Sequence, residues 1–269
     1  MNKIEVAVLD NHSHPGAIMV ALARLTQRGH KISTMDDLKN MFDEARNARP
    51  ELMKGIAKLP HGTIKRFCPI TVAIVGASRR FLAQARTHQV GFNYVSASLQ
   101  YSDYSGKAQF VVPYALLEKD EYIKKNGEPY LMTPSQYYLE SCSKSMEAYS
   151  ELAEATDNDT AGYAAPQGLR NILIMQANHE AWMNFIRARG CNRNTVETQY
   201  VTLRIWEELL DTPDGPEMFS MAGPDCVYGS CREGKMCCRE PLRNFRFEQN
   251  DSTLPRRIID AKWPLLKEL

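Results

Sequence analysis

The chain opens on alternation. In KIEVAVLD (residues 3–10) apolar and polar positions take turns and β-branched side chains recur, which predicts a strand. Ser13, His14 and Pro15 then offer a cap and an N1 proline for a helix through Leu25. In MDDLKNMFDEARNA (35–48) Leu38, Met41, Phe42 and Ala45 share one helical face, with acids early and bases later, as the helix dipole favours. Pro50 restarts a short helix to Leu59, and the apolar run PITVAIVG (69–76) predicts a buried strand. A helix follows from Ser78 to His88. RTHQVGFNYVSASLQYSDY (86–104) then passes from helix to strand, and AQFVVP (108–113) predicts another strand.

The second half begins with the longest helix, residues 134–156, where Tyr137, Tyr138, Cys142, Met146, Tyr149 and Leu152 lie near one stripe. Residues 156–162 (TDNDTAG) predict a loop and RNILIMQA (170–177) a strand. Helices from Asn178 to Arg189 and from Thr195 to Leu210 flank GCNRN. From Pro213 the chain is rich in Pro, Gly, Cys and charge, which predicts an irregular tail. Strands and helices alternate without regular βαβ spacing, so the expected class is α+β, a mixed sheet flanked by long helices. The expected division is residues 1–222 as a catalytic domain and 223–269 as a Cys-rich tail.

Composition narrows the function. Lys plus Arg number 33 against 32 Asp plus Glu, so no charge excess calls for nucleic acid or an acidic membrane surface. No run of 18 apolar residues spans a bilayer, and MNKIEVAVLD lacks a signal-peptide core. Seven cysteines without an export signal predict reduced thiols in a cytoplasmic setting. GxGxxG after a strand, GxxxxGK[ST], GxSxG and HExxH are all missing.

Three clusters remain as candidate chemistry. Gln84 and His88 are four apart on one helix face, with Arg80 a turn earlier; a ligand site and a solvated polar face fit this equally well. Asn178, Trp182, Phe185 and Arg189 step by 4, 3 and 4, which suits either a flat polar ring or core packing beneath a surface arginine. GPDCVYGSCREGKMCC (223–238) is dense in cysteine, but its spacing is not that of a zinc site and the expectation is no metal.

From the first strand to the cysteine tail, roughly residues 3–240, the chain resembles the flavin-dependent thymidylate synthases. The resemblance rests on VAVLDNHSHP, the ALARL run, HGTIKRFCPITVAIVGASR, RTHQVGFNYVSASLQYSDYS in the place of the family signature RHRxxSxNExSxR, and APQGLRNILIMQANHEAWMNFIRARGCNRNTVETQ. It implies a homotetramer with FAD at subunit interfaces. It also implies reductive methylation of dUMP to dTMP, with methylenetetrahydrofolate as carbon donor and NADPH as reductant. By the same resemblance, His61, Thr63, Arg86, Thr87, His88, Asn178 and Asn184 meet the flavin. Gln84, Ser96, Ser98, Gln100 and Arg189 meet the nucleotide, with Arg189 also catalytic.

The signature is altered. The family's His and second Arg are Thr87 and His88, its first serine is Gly91, its acid is Tyr94, and its last arginine is Ser98 or Gln100. A further substrate arginine is Gly162, and a Glu-His pair is Arg66 and Phe67. Lys107, Arg66 and Arg193 are candidates to replace the lost charge. Two other readings therefore stand beside the first. One is C5-methylation or hydroxymethylation of another pyrimidine nucleotide such as UMP. The other is an inactive paralogue that binds flavin or nucleotide.

Overall fold

The computed structural model describes residues 4–10, 14–60, 62–67, 69–125, 128–129, 131–247 and 251–266. In chain order the elements are β1 (Glu5–Asp10), α1 (Pro15–Arg28), α2 (Met35–Arg46), α3 (Pro50–Lys58), α4 (Gly62–Lys65), β2 (Ile70–Ser78), α5 (Arg79–Ala85) and β3 (Phe92–Ser96). There follow α6 (Tyr114–Leu117), a ribbon of β4 (Lys124–Lys125) and β5 (Glu128–Pro129), α7 (Pro134–Ala155), α8 (Asn158–Ala161), β6 (Arg170–Ala177), α9 (His179–Arg189), α10 (Val196–Leu210), α11 (Gly215–Phe219) and α12 (Leu254–Lys262). The class is α+β, as the alternation without βαβ spacing implies.

The helix starts follow local chemistry. Thr34 and Thr133 close capping boxes with Asp37 and Gln136, and Pro134 occupies the first turn of α7. Helix α1 begins at Pro15 as expected, while the proposed Ser13 cap lies outside the described residues.

The main sheet has the order β1-β2-β6-β3, and each pair is antiparallel. This corrects the expectation of a mixed sheet. Its inner face carries Val6, Val72, Ile74, Leu173 and Met175, which meet Phe81, Trp182, Phe185 and Trp206 in one core. At Gly76 (φ 90) the register between β2 and β6 shifts, and the Arg170 side chain fills the space where a Cβ would stand. Only glycine meets both requirements there.

Three further expectations change. Residues 108–113 do not form a strand; Phe110 makes one isolated bridge to Leu169, and Pro113 and Pro166, which lack N–H groups, bound the contact. The 156–162 loop contains α8, which Asp157 caps by accepting from Thr160 N at 2.7 Å. The tail is not irregular throughout, because α11 and α12 form within it. Leu254, Ile258, Ile259 and Trp263 are buried in the same core as the sheet. Lys262 Nζ donates to Gln199 Oε1 of α10 at 3.0 Å, and the Trp263 ring stands edge-on to Tyr200.

The tail therefore contributes to the fold's stability. Trp263→Ala should cost about 3–5 kcal/mol, the usual range for removing a buried large aromatic. Urea unfolding checks this; an unchanged midpoint would mean that α12 docks without contributing.

Candidate functional site

Strand β2 ends at Ser78, which is also the N-cap of α5. Its Oγ accepts from Phe81 N at 3.1 Å and donates to Glu197 Oε2 at 2.6 Å, while its backbone N donates to Glu197 Oε1 at 2.7 Å. Glu197 lies in the first turn of α10, so one carboxyl joins the starts of two helices. Burial pushes that carboxyl above its ordinary pKa, and the two Ser78 donors pull it back. Beside it, Ser78, Arg80, Val112, Tyr138 and Tyr200 help line a largely apolar cavity of about 300 Å³.

Beyond Ala85 the chain continues as turns rather than helix to His88. His88 N donates to Ala85 O at 3.1 Å, and the Tyr94 hydroxyl donates to Ala85 O at 2.9 Å and to His88 O at 2.6 Å. Burial pushes the Tyr94 hydroxyl up to about 12, with Arg189 and Arg86 opposing, so it stays protonated and its one hydrogen is shared between the two carbonyls. The tyrosine that stands where the signature has an acid thus clamps the turn.

Arg189 comes to this turn from the last residue of α9. Its Nε donates to His88 Nε2 at 2.8 Å, and its Nη1 donates to Asn194 Oδ1 at 3.2 Å. Its Nη2 donates to Gln84 O at 3.3 Å and Thr87 Oγ1 at 2.7 Å. Thr87 Oγ1 in turn donates to Gln84 O at 2.8 Å. The Gln84 side-chain oxygen accepts from the hydroxyls of Thr195 and Thr198 at the start of α10. Four of the five guanidinium N–H groups therefore meet neutral acceptors, which leaves one Nη1 hydrogen.

The structure brings Gln84, Thr87, His88 and Arg189 together. Arg86, two residues from His88, donates through Nη2 to Ser96 Oγ at 2.5 Å. Ser98 Oγ accepts from Gln100 N at 3.1 Å, which makes a small turn beyond β3. Asn178 caps the other end of α9, accepting from Ala181 N at 3.0 Å, and Gly91 (φ 78) lies against it. Asn184 is exposed on α9 and accepts from Arg187 Nη2 at 3.4 Å. Thr63 is exposed on α4, and His61 lies outside the described residues. Between Asn178 and Arg189, Trp182 and Phe185 are fully buried, so that part of the helix face is core.

Of the replacement cations, Arg66 is tied to Glu180 at 3.0 Å and Arg193 to Met236 O at 2.6 Å. Lys107 is exposed in the loop that follows Gln100. Sequence reasoning missed Arg79, whose guanidinium is held below its usual pKa by burial and by Arg86 nearby, while Tyr104 acts in the opposite direction. It also missed Ser78, Tyr94, Glu197, Asn194, Thr195 and Thr198. For Thr195 and Thr198 a signal existed in the capping threonine after GCNRN. Five tail-side cysteines, Cys191, Cys226, Cys231, Cys237 and Cys238, line a cavity of about 380 Å³. Among the described residues no three His, Cys, Asp or Glu side chains are grouped to hold a metal ion.

A family model described as thymidylate synthase complementing protein matches residues 7–212. The flavin-dependent thymidylate synthase of Clostridium tetani is 24% identical over 245 residues, covering 87% of this chain and 93% of the relative. That of Geobacter sulfurreducens is 24% identical over 252 residues, covering 90% and 98%.

The Glu197 carboxyl gives a signed pH test. Below the ordinary value of 4.5 the group is protonated in both folded and unfolded chains. Between 4.5 and its raised folded value the unfolded chain ionises first, so stability is lost as pH rises through that window. Glu197→Gln should flatten this slope while keeping a carbonyl acceptor for Ser78. Unfolding midpoints of both proteins from about pH 4 to about pH 8 measure it, and parallel curves would contradict the assignment.

Proposed function

We propose, for a chain that belongs to the thymidylate synthase complementing protein family, that it catalyses FAD-dependent reductive methylation of dUMP to dTMP, with methylenetetrahydrofolate as carbon donor and NADPH as reductant. The observation that carries this reading is the convergence of Gln84, Thr87 and His88 on Arg189 across 101 to 105 positions of sequence. Flavin dependence of the two relatives supports FAD as the cofactor.

The donor set fits a flavin dinucleotide. Arg86 is exposed and cationic, Thr87 and Asn184 are exposed, and Asn178 carries a half-buried amide beside Gly91. His61, Thr63 and His88 complete the flavin-facing set in this reading. When bound, the flavin supplies the hydride that completes the methyl group. The chain's own residues bind, orient and polarise. Gln84 keeps its amide NH2 for the nucleotide because its side-chain oxygen is taken by Thr195 and Thr198. Ser96, Ser98 and Gln100 receive the phosphate, with the flavin-facing Arg86 held against Ser96 and Arg79 near Arg86 adding positive charge. Arg189 offers its remaining N–H to a pyrimidine oxygen. A fixed donor there stabilises the negative charge that develops on reduction more than it stabilises the neutral ring.

A homotetramer is part of the same reading. The sheet face turned away from the helices exposes Leu9, Val75, Val95 and Ile172, with Val75 paired directly to Ile172. An open apolar sheet face of this kind suits burial against another copy.

The function is tested by incubating the protein with FAD, NADPH, methylenetetrahydrofolate and either dUMP or UMP, then analysing nucleotide masses. Product one CH2 heavier from dUMP supports the proposal; product from UMP alone selects the other pyrimidine reading, and no product from either supports an inactive paralogue. Arg189→Ala should lower turnover by roughly 10²-fold, the scale of one preorganised donor, without loss of FAD. Arg189→Lys should not restore it, since an ammonium lacks the planar fork. Ile172→Lys should shift the tetramer to smaller species in light scattering; an unchanged mass would exclude this sheet face from the interface.

A further inference from the structure

We infer that His88 is a positioning residue whose unprotonated Nε2 sets the rotation of the Arg189 guanidinium, so that the site works only while His88 is neutral. The inference rests on the role given to Arg189 above. Its basis is donor chemistry. A guanidinium has N–H donors and no acceptor, so the 2.8 Å contact from Arg189 Nε requires a lone pair on His88 Nε2. That places the imidazole proton on Nδ1. An imidazolium would set N–H against N–H and one positive charge against another at the same distance.

The ring is held for this purpose. Phe185 of α9 meets it edge-on with centroids 5.0 Å apart, and Phe92 at the start of β3 meets it edge-on at 6.5 Å. Its backbone is fixed on both sides, with N donating to Ala85 O and O accepting from Tyr94. The ring therefore cannot turn away from Arg189 without breaking aromatic packing.

The surroundings keep it neutral. From α9 it faces Arg189 and the Phe185 ring; from β3, Phe92 and Tyr94; from its own turn, Arg86 lies two residues back. The segment before α10 contributes Asn194, which is uncharged, on the far side of the guanidinium. Among the described residues no carboxylate forms an ion pair with His88. Burial first, and the Arg189 charge second, hold the imidazole below its ordinary value of 6.5.

The coupling belongs to this chain. The signature that the chain resembles has an arginine at this position, and an arginine could not accept from Arg189. Histidine here converts a like-charge neighbour into an acceptor and adds a titration.

The test follows His88 and turnover together. In wild-type protein, NMR of the His88 ring and of the Arg189 Nε–H should show the Nδ1–H tautomer and one shared transition below pH 6.5. Turnover should fall about tenfold per pH unit below that transition, through kcat more than KM. His88→Gln keeps an acceptor without a titration, so it should keep turnover within about tenfold of wild type and lose the acid limb. His88→Leu should lose about 10²-fold at every pH when assayed at saturating FAD, since His88 also belongs to the flavin-facing set, while retaining a native circular dichroism spectrum. An acid limb that persists in His88→Gln, or a His88→Leu profile like wild type, would overturn the inference. So would a His88 transition at or above 6.5 that leaves Arg189 Nε–H unmoved. A shared NMR transition in a protein that turns over no pyrimidine nucleotide would keep the positioning role and reject the catalytic reading instead.

Discussion

The antiparallel pairing of β2 with β6 is the constraint on which the site depends. Its register sets Ile70 opposite Ala177 and Ser78 opposite Arg170, so the strands finish at opposite ends of the sheet. Each finish is a helix cap, Ser78 for α5 and Asn178 for α9. The two helices thus start far apart and run back over the same core, where Phe81, Trp182 and Phe185 fix their separation. Their C-terminal ends meet, and that meeting is the contact of the turn at Gln84–His88 with Arg189. A slip of one residue in the pairing would turn Val72, Ile74, Leu173 and Met175 outward, so the apolar pattern holds the register that holds the site.

The electrostatics of the meeting point follow from the kind of partner rather than the number. Arg66, Arg204, Arg256 and Arg257 are paired with carboxylates. Arg189 and Arg86 instead meet a histidine, hydroxyls, an amide oxygen and a backbone carbonyl. Neutral acceptors orient a guanidinium without cancelling its charge, which leaves a positive field for an anionic ligand. Glu197, on the helix that carries Thr198, is occupied by Ser78 and pushed toward neutrality by burial. Its contribution is to tie α5 to α10, which in turn aligns Thr195 and Thr198 with Gln84.

Much of the fold was legible because local signals are strong where an element stands on its own periodicity. The apolar run at 69–76, the alternation at 3–10 and the capped helix at 134–156 all appear with ends displaced by a few residues. Elements that depend on neighbours were not legible. The stretch 108–113 reads as a strand in isolation, yet its pairing is limited to one bridge, Phe110 with Leu169, flanked by hydrogen bonds to Gly168 and Arg170, and prolines cut it short. Helix α12 hides in a segment rich in Pro and Arg, because its apolar side is complete only when Ile258, Ile259 and Trp263 rest on α10. The mixed sheet was expected because pairing direction is a property of two strands, and neither strand carries it alone.

The candidate site divides the same way. By itself the sequence singled out Gln84 with His88 by their spacing of four, although the helix ends at Ala85 and His88 lies in the turn beyond it, and it placed Arg189 at the end of its helix. Only the tertiary structure decided that these belong to one cluster, since they are 101 to 105 positions apart and meet through the β2–β6 register. It also decided what each group does with its hydrogen bonds. Nothing local marks Tyr94 as the clamp of the turn, Thr198 as a partner of Gln84, or His88 as an acceptor for Arg189. Those assignments depend on directions between side chains from different elements, and a linear pattern carries spacing along one element but not orientation between two.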